Sequence, residues 1–368
     1  MVLTSSNLAH YLLARGLLTP VSIVDGDYLA VETARRNRNF KVIRSRNPAY
    51  FVKQVKIWDN QSLATLRCEV YCYWLAANHP DFAALRSLVP RFYGWDENHA
   101  ILVTELLTRA ENLSEYHARH SAFPIAAAME LGSAFGRYHR QVPAPPPDAT
   151  QAAPFPRRVP WALTMHQPEW KTLTGLSEAN AQMIALVHSY PEFAQALEPL
   201  RAAWPATALI HGDIKWDNCM VETDSAGNPA IKIVDWEMAD WGDGLWDVAA
   251  IFNQYLSHWI YSLPGDSSAA TVDLVDSATR PFRHMLPALH AFWSAYARAS
   301  ELSGLAAKAA LSKTMTYCGA RMLQSVYEYS QYSPRLTRPA LYLLQASQNI
   351  LADPEGAVRD LLEMGNTA

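Results

Sequence analysis

The segment from Ala208 to Glu237, ALIHGDIKWDNCMVETDSAGNPAIKIVDWE, concentrates the side chains best suited to chemistry. Asp213 follows His211-Gly212, Asn218 lies five residues further on, and Asp235 ends the alternating apolar run Ile231-Lys232-Ile233-Val234. This set suits phosphoryl transfer. A hydroxyl attacking a γ-phosphate needs a carboxylate to orient it and take its proton, and the phosphate charge needs Mg²⁺ held by oxygen ligands. Asp213, in a loop, fits the first task. Asn218 and Asp235 fit the second, because Mg²⁺ prefers hard oxygen donors and takes few of them from protein. Asn218 opens a strand, Cys219-Met220-Val221, and a Gly-Asn-Pro turn brings the chain back towards Asp235, so a hairpin sets the two ligands side by side. Alone, H-G-D is a turn and V-D-W-E a strand end; only the full pattern of H-G-D-x-x-x-x-N, hairpin and Asp after an apolar run carries the reading.

This pattern resembles the catalytic loop and metal-binding strand of the aminoglycoside phosphotransferase and choline kinase family, small-molecule relatives of the protein kinases. Asp213-x-Lys215-x-x-Asn218 is also similar to the protein-kinase catalytic loop, in which a Lys two residues after the Asp touches the transferring phosphate. The resemblance implies an α+β, two-lobed protein-kinase-like fold, with a small antiparallel β-rich lobe over residues 1–107 and a large, mostly helical lobe over 108–368. It also implies ATP and Mg²⁺. In the family, a third-strand Lys grips the α- and β-phosphates and is held by a Glu from the next helix; Lys53 and Glu69 match that pair in order and spacing. The carbonyl of Glu105 and the amide of Leu107 fall where adenine is bound. Asp247, in a W/G-D-x-x-x-D-[LV]-A-like run, matches the Asp that braces the catalytic loop, and His211 is expected to tie the same loop.

The elements that must position these residues are legible in outline. Three strand-like runs, Tyr28 to Thr33, Phe40 to Ser45 and Tyr50 to Lys56, read as an antiparallel meander, with Lys53 directed beneath the third. Between about Gln61 and Ala77, Leu63, Leu66, Val70, Tyr73 and Ala77 form a helical stripe, and Glu69 sits at its border. The turn Arg35-Arg36-Asn37-Arg38-Asn39 stands where protein kinases carry a Gly-rich loop and contains no glycine. Arg38 and Asn39 are either further phosphate contacts or part of a solvated basic turn. A strand pair, Arg91 to Gly94 and Ala100 to Leu106, leads into helical sequence from Ser114, with helices over Pro124 to Arg140, Arg280 to Ser300, Ala306 to Tyr329 and Arg338 to Leu351. The Pro/Ala-rich stretch Pro143 to Pro160 is a lid or a linker. Trp161, His166, Trp170 and Lys171 beyond it either line a substrate pocket or pack. Glu237, Asp240 and Asp243 are either solvated turn carboxylates or an attraction for a cationic substrate.

A chain of 368 residues, half apolar and with a formal charge of −4, buries a large core and has no basic excess to favour nucleic acid. The start, MVLTSSNLAHYLLARGLL, reads as an amphipathic helix capped near Ser6 and not as a signal peptide. No run reaches the length of a membrane span. Four cysteines, Cys68, Cys72, Cys219 and Cys318, show no disulfide or zinc pattern, which suits a cytoplasmic protein. The expected activity is therefore ATP-dependent phosphorylation of a hydroxyl on a small molecule that can be cationic, without nucleic-acid or membrane partners. Two alternatives remain. One is a protein kinase, suggested by Lys215 but opposed by the missing Gly-rich loop and Ala-Pro-Glu-like segment. The other is an inactive nucleotide-binding protein, opposed by the presence of every key side chain.

Overall fold

The computed structural model describes residues 1–33, 36–46, 48–120, 122–142, 144, 155–168, 175–264 and 278–364. Arg35, Trp170, Lys171 and most of the stretch from Pro143 to Pro160 lie outside them. The described residues divide into two compact units. The first comprises Met1–Asn112, Phe155 and Asn218–Ala239; the second takes the remainder.

In the first unit, helices α1 (Leu8–Ala14) and α2 (Pro20–Val24) precede strands β1 (Leu29–Glu32), β2 (Arg38–Ile43) and β3 (Tyr50–Gln54). Helix α3 (Asn60–Asn78) and the short α4 (Ala83–Arg86) follow, then β4 (Phe92–Asp96) and β5 (Ile101–Glu105). The five strands form one antiparallel sheet in the order β1-β2-β3-β5-β4, so the expected meander is present. Alternation decides its faces. Phe40 and Val42 of β2, Tyr50 and Val52 of β3, and Ile101 and Val103 of β5 bury against Leu8, Tyr11 and Leu12 of α1. Each such side chain contributes roughly 1.5–3 kcal/mol by leaving water.

β2 begins at Arg38, earlier than the sequence suggests, because Arg38 and Asn39 pair with Gln54 and Lys53 of β3; they are strand residues and not part of a turn. α1 begins at Leu8, and the Asn7 side chain, instead of capping it, accepts from the Thr4 amide and donates to the Val2 carbonyl. α3 is capped properly: the Asp59 carboxylate accepts the Ser62 amide at 2.7 Å. The unit also holds β6 (Glu111–Asn112), which pairs with the hairpin treated below.

The second unit is mostly helical: α5 (Leu113–Arg119), α6 (Ile125–Gln141), α7 (Glu178–Ser189) and α8 (Pro191–Ala202). Strand β7 (Ala208–Ile210) closes its first half. In the first unit the hairpin is β8 (Cys219–Thr223) and β9 (Pro229–Ile233), and the chain re-enters the second unit at β10 (Asp240–Gly242). β10 pairs antiparallel with β7, a two-stranded ribbon that three-residue strands do not announce in sequence. Helices α9 (Gly244–Tyr261), α10 (Leu286–Ala299), α11 (Gly304–Tyr329) and α12 (Arg338–Ala352) complete the unit. α6 and α10 approach so closely that a methyl group on Gly132 would collide with the Phe292 backbone, while Phe135 meets the Phe292 ring edge-on at 5.9 Å. Among the described residues no helix is long and apolar enough to cross a membrane.

Candidate active site

The first unit contributes a buried ammonium among carboxylates. Lys53 lies on β3, the middle strand of the sheet, and is 5% exposed. Its Nζ lies 2.7 Å from Glu69 Oε2, 2.7 Å from Asp235 Oδ1 and 3.2 Å from Glu237 Oε2. Glu69 reaches it from the inner border of α3 and also accepts the Tyr73 hydroxyl at 3.3 Å. Burial alone would lower the Lys53 pKa, but the three carboxylates outweigh it and hold it above the ordinary lysine range. For Glu69 burial wins over the attraction of Lys53, with the charge of Asp235 adding to it, and its carboxyl rises to about 7.

The hairpin sets the rest. Gly227, at φ +88°, makes the turn that lets Cys219 pair with Ile233, and the Val234 amide then donates to the Asn218 carbonyl at 3.0 Å. Asn218 and Asp235 therefore flank the same end of the hairpin. Asp235 has left-handed backbone, φ 66° and ψ 53°, a conformation that Asp tolerates better than most residues and that breaks the strand at this point. Glu237 also binds Arg36 at 3.2 Å. Three carboxyl groups thus face Lys53, with the exposed Arg36 at their edge. Oxygens of Glu69, Asp235 and Glu237 lie within 4.8 Å of one another, a donor set of the kind that hard divalent cations take.

Asn39 is the cross-strand partner of Lys53, and its side-chain carbonyl has no hydrogen-bond partner among the described residues. Glu105 ends β5, where its carboxylate accepts the Arg91 amide at 3.2 Å, and the Leu106 amide donates to the Ala49 carbonyl at 3.1 Å. Glu105 and Leu107 line a cavity of about 470 Å³ with Tyr93 and Arg109.

The second unit holds the loop of Asp213. Gly212 sits at φ +79°, which a side chain would strain, and this sharp turn presents Asp213 with its carboxylate 24% exposed. Lys215 donates to Asp213 Oδ2 at 2.9 Å. His211 is fully buried and its Nδ1 accepts the Asp213 amide at 3.2 Å. Asp247, buried in the first turn of α9, accepts the amides of His211 at 2.6 Å and Gly212 at 3.1 Å and the Tyr138 hydroxyl at 2.8 Å. Burial works to raise its pKa, yet the neighbouring His139 and the amide donors hold it below the ordinary carboxylate value.

Asp240 and Asp243 are engaged in structure. Asp240 accepts the amides of Arg157, Arg158 and Trp241, and burial raises its carboxyl. Asp243 caps α9 through the Leu245 amide and binds Tyr317 and Lys313.

Arg321, on α11, escapes the sequence reading. Its buried guanidinium donates to the carbonyls of Gly212 and Ile214, each at 3.1 Å, and so clasps both sides of Asp213. The only signal in the sequence is a lone cation in the apolar run Met315 to Val326.

A family model for the phosphotransferase enzyme family matches residues 28–301. Searches of curated proteins gave no significant match. Among solved structures, the chain is similar to a choline/ethanolamine kinase family protein from Mesorhizobium loti, with 13% identity over 96% of each chain and a TM-score of 0.51. It is similar to the macrolide 2'-phosphotransferase MphH from Brachybacterium faecium, with 17% identity over 95% of this chain and 99% of that one and a TM-score of 0.50. It is likewise similar to the amicoumacin kinase hAmiN, at 12% identity over 94% and 96% of the two chains and a TM-score of 0.50. The fold is thus α+β and protein-kinase-like. With its family model covering most of the sequence, the chain belongs to the phosphotransferase enzyme family and is a small-molecule kinase acting on a hydroxyl group.

Proposed function

We propose that the protein transfers the γ-phosphoryl group of ATP, with Mg²⁺, to a hydroxyl of a small molecule. The observation that carries this reading is the buried Lys53 ammonium held by Glu69, Asp235 and Glu237 beside the hairpin end that bears Asn218. Lys53, fixed by Glu69, positions the α- and β-phosphates, and Asn39 and Arg38 on the adjoining strand add polar contacts. Glu105 and Leu107 supply backbone groups to the adenine. Nucleotide binding falls to residues 1–107 and acceptor binding to 108–368. The hAmiN structure, determined with AMP-PNP and Ca²⁺, supports ATP and a divalent ion.

Asp213 accepts the proton of the attacking hydroxyl as the new P–O bond forms and the bond to the leaving ADP oxygen breaks. Lys215, at 2.9 Å from Asp213, steadies the carboxylate and meets the transferring phosphate. His211, Asp247 and Arg321 fix the loop, so that positioning and charge neutralisation do most of the catalysis. Asn218 and Asp235 would hold Mg²⁺, which when bound neutralises phosphate charge. Four free cysteines, all buried, support a reducing cytoplasmic setting. Transfer from γ-radiolabelled ATP to a mixture of small alcohols, with EDTA abolishing it and added proteins left unlabelled, tests the reading. Label passing to protein instead would overturn it.

A further inference from the structure

Trp216 directly follows Lys215, and it opens onto a cavity of about 280 Å³ wholly within the second unit. The cavity walls are rings: Trp216 from the loop, His258 and Tyr261 from α9, and Tyr329 from the end of α11. They are set against one another, Trp216 with His258 at 5.2 Å and Tyr261 with Tyr329 edge-on at 4.8 Å. Ser114 and Gln254 add neutral polar groups, and Gln254 Oε1 accepts the Trp216 amide at 3.3 Å. Trp216 belongs to the turn that follows Asp213 and Lys215, which places this cavity beside the Asp213 loop.

Two features narrow what fits. No carboxylate lines the walls. Nearby charges oppose one another, Lys215 and Arg280 against Asp217 and Glu328. Burial, and then Arg280, lower the pKa of His258, so its imidazole stays neutral. Ring faces attract cations, but with no carboxylate on the walls and nearby charges that cancel, nothing in the cavity balances a multiply charged cation.

We propose that this cavity receives the alcohol to be phosphorylated and selects a neutral, ring-bearing molecule over a polycation. The inference rests on the phosphotransfer reading for its chemistry, and a binding measurement without nucleotide separates the two. Tryptophol and phenyl β-glucoside serve as neutral probes, kanamycin and choline as cationic ones, each titrated into the full-length protein by calorimetry. A neutral probe should bind more tightly than either cation. Tyr329→Ala, which removes a wall, and Ser114→Phe, which fills the space, should each weaken it by about tenfold. Either variant serves if the other fails to fold, as judged by its unfolding curve. Tighter binding of kanamycin or choline, no binding of either neutral probe, or affinities unmoved in a folded variant would overturn the inference. Neutral-probe binding with no transfer from ATP to any alcohol would instead sink the phosphotransfer reading.

Discussion

The roles proposed for Asp213 and Lys53 differ, and single substitutions should separate them. Asp213→Asn keeps the shape of the loop side chain and its bond from Lys215 but removes the proposed proton acceptor. Turnover should fall by about 10²–10⁴-fold while ATP affinity stays near the unaltered value; wild-type-like turnover would rule Asp213 out as the base. Lys53→Met acts on the other side of the chemistry. It leaves Glu69, Asp235 and Glu237 facing one another without their ammonium, and truncating one partner of a buried ion pair costs about 3–5 kcal/mol. Part of that cost is relieved as Glu69 takes up a proton, the direction in which its pKa already lies. The variant should therefore fold less stably and lose ATP affinity together, and Glu69→Gln in the same chain should restore stability without restoring affinity. Restored affinity in the double variant would show that Lys53 does not touch phosphate.

At the level of elements, local pattern found what local pattern can carry. The contact of Lys53 with Glu69 was legible through the family resemblance, with strand and helix periods placing each, and the shared hairpin end of Asn218 and Asp235 through the turn signal between them. Arg321 was not, since its partners are carbonyls more than a hundred residues upstream, and a carbonyl leaves no mark in a sequence. The bond from Tyr138 on α6 to Asp247 on α9 was hidden for the same reason. Arg38 and Asn39 looked like turn residues because β2 starts on polar side chains, and only pairing with β3 makes them strand. The pairing of β7 with β10 follows from chain ends meeting, not from propensity. Arg321 gives the sharpest test of this hidden layer. Lys at that position keeps the charge but loses the planar fork that reaches two carbonyls. Arg321→Lys should lower kcat by about 10–100-fold with little change in the KM for ATP, because a loop shifted by about an ångström misplaces the base. A change in KM alone would mean that the clasp does not act on the Asp213 loop.

Across the whole molecule, a histidine away from the proposed catalytic residues should make the fold sensitive to acid. His117 on α5 is 2% exposed, packed edge-on against Trp216 at 4.5 Å and against Phe123 at 4.8 Å, and neither ring nitrogen has a partner among the described residues. Burial, helped by His258, His120 and Arg280, depresses its pKa to about 3. The unfolded chain therefore binds a proton near the ordinary value of 6.5 that the folded chain refuses until about 3. Between those limits the unfolded state holds more protons, so stability must fall as pH falls, by up to about 1.4 kcal/mol per pH unit for this one group. Depressed carboxylates such as Asp247 and Asp96 act in the same direction, but only as pH passes below the ordinary carboxylate range. Between pH 6.5 and that range His258, lowered by burial, adds to the loss and Glu69, raised to about 7, opposes it, so the difference between a His117 variant and the unaltered protein is what isolates His117. His117→Leu, close in volume and without polar atoms to leave unpaired, should raise stability at neutral pH and flatten the urea midpoint across that window. If the variant's midpoint fell with acid as steeply as that of the unaltered protein, the buried neutral histidine would not be the group that senses pH.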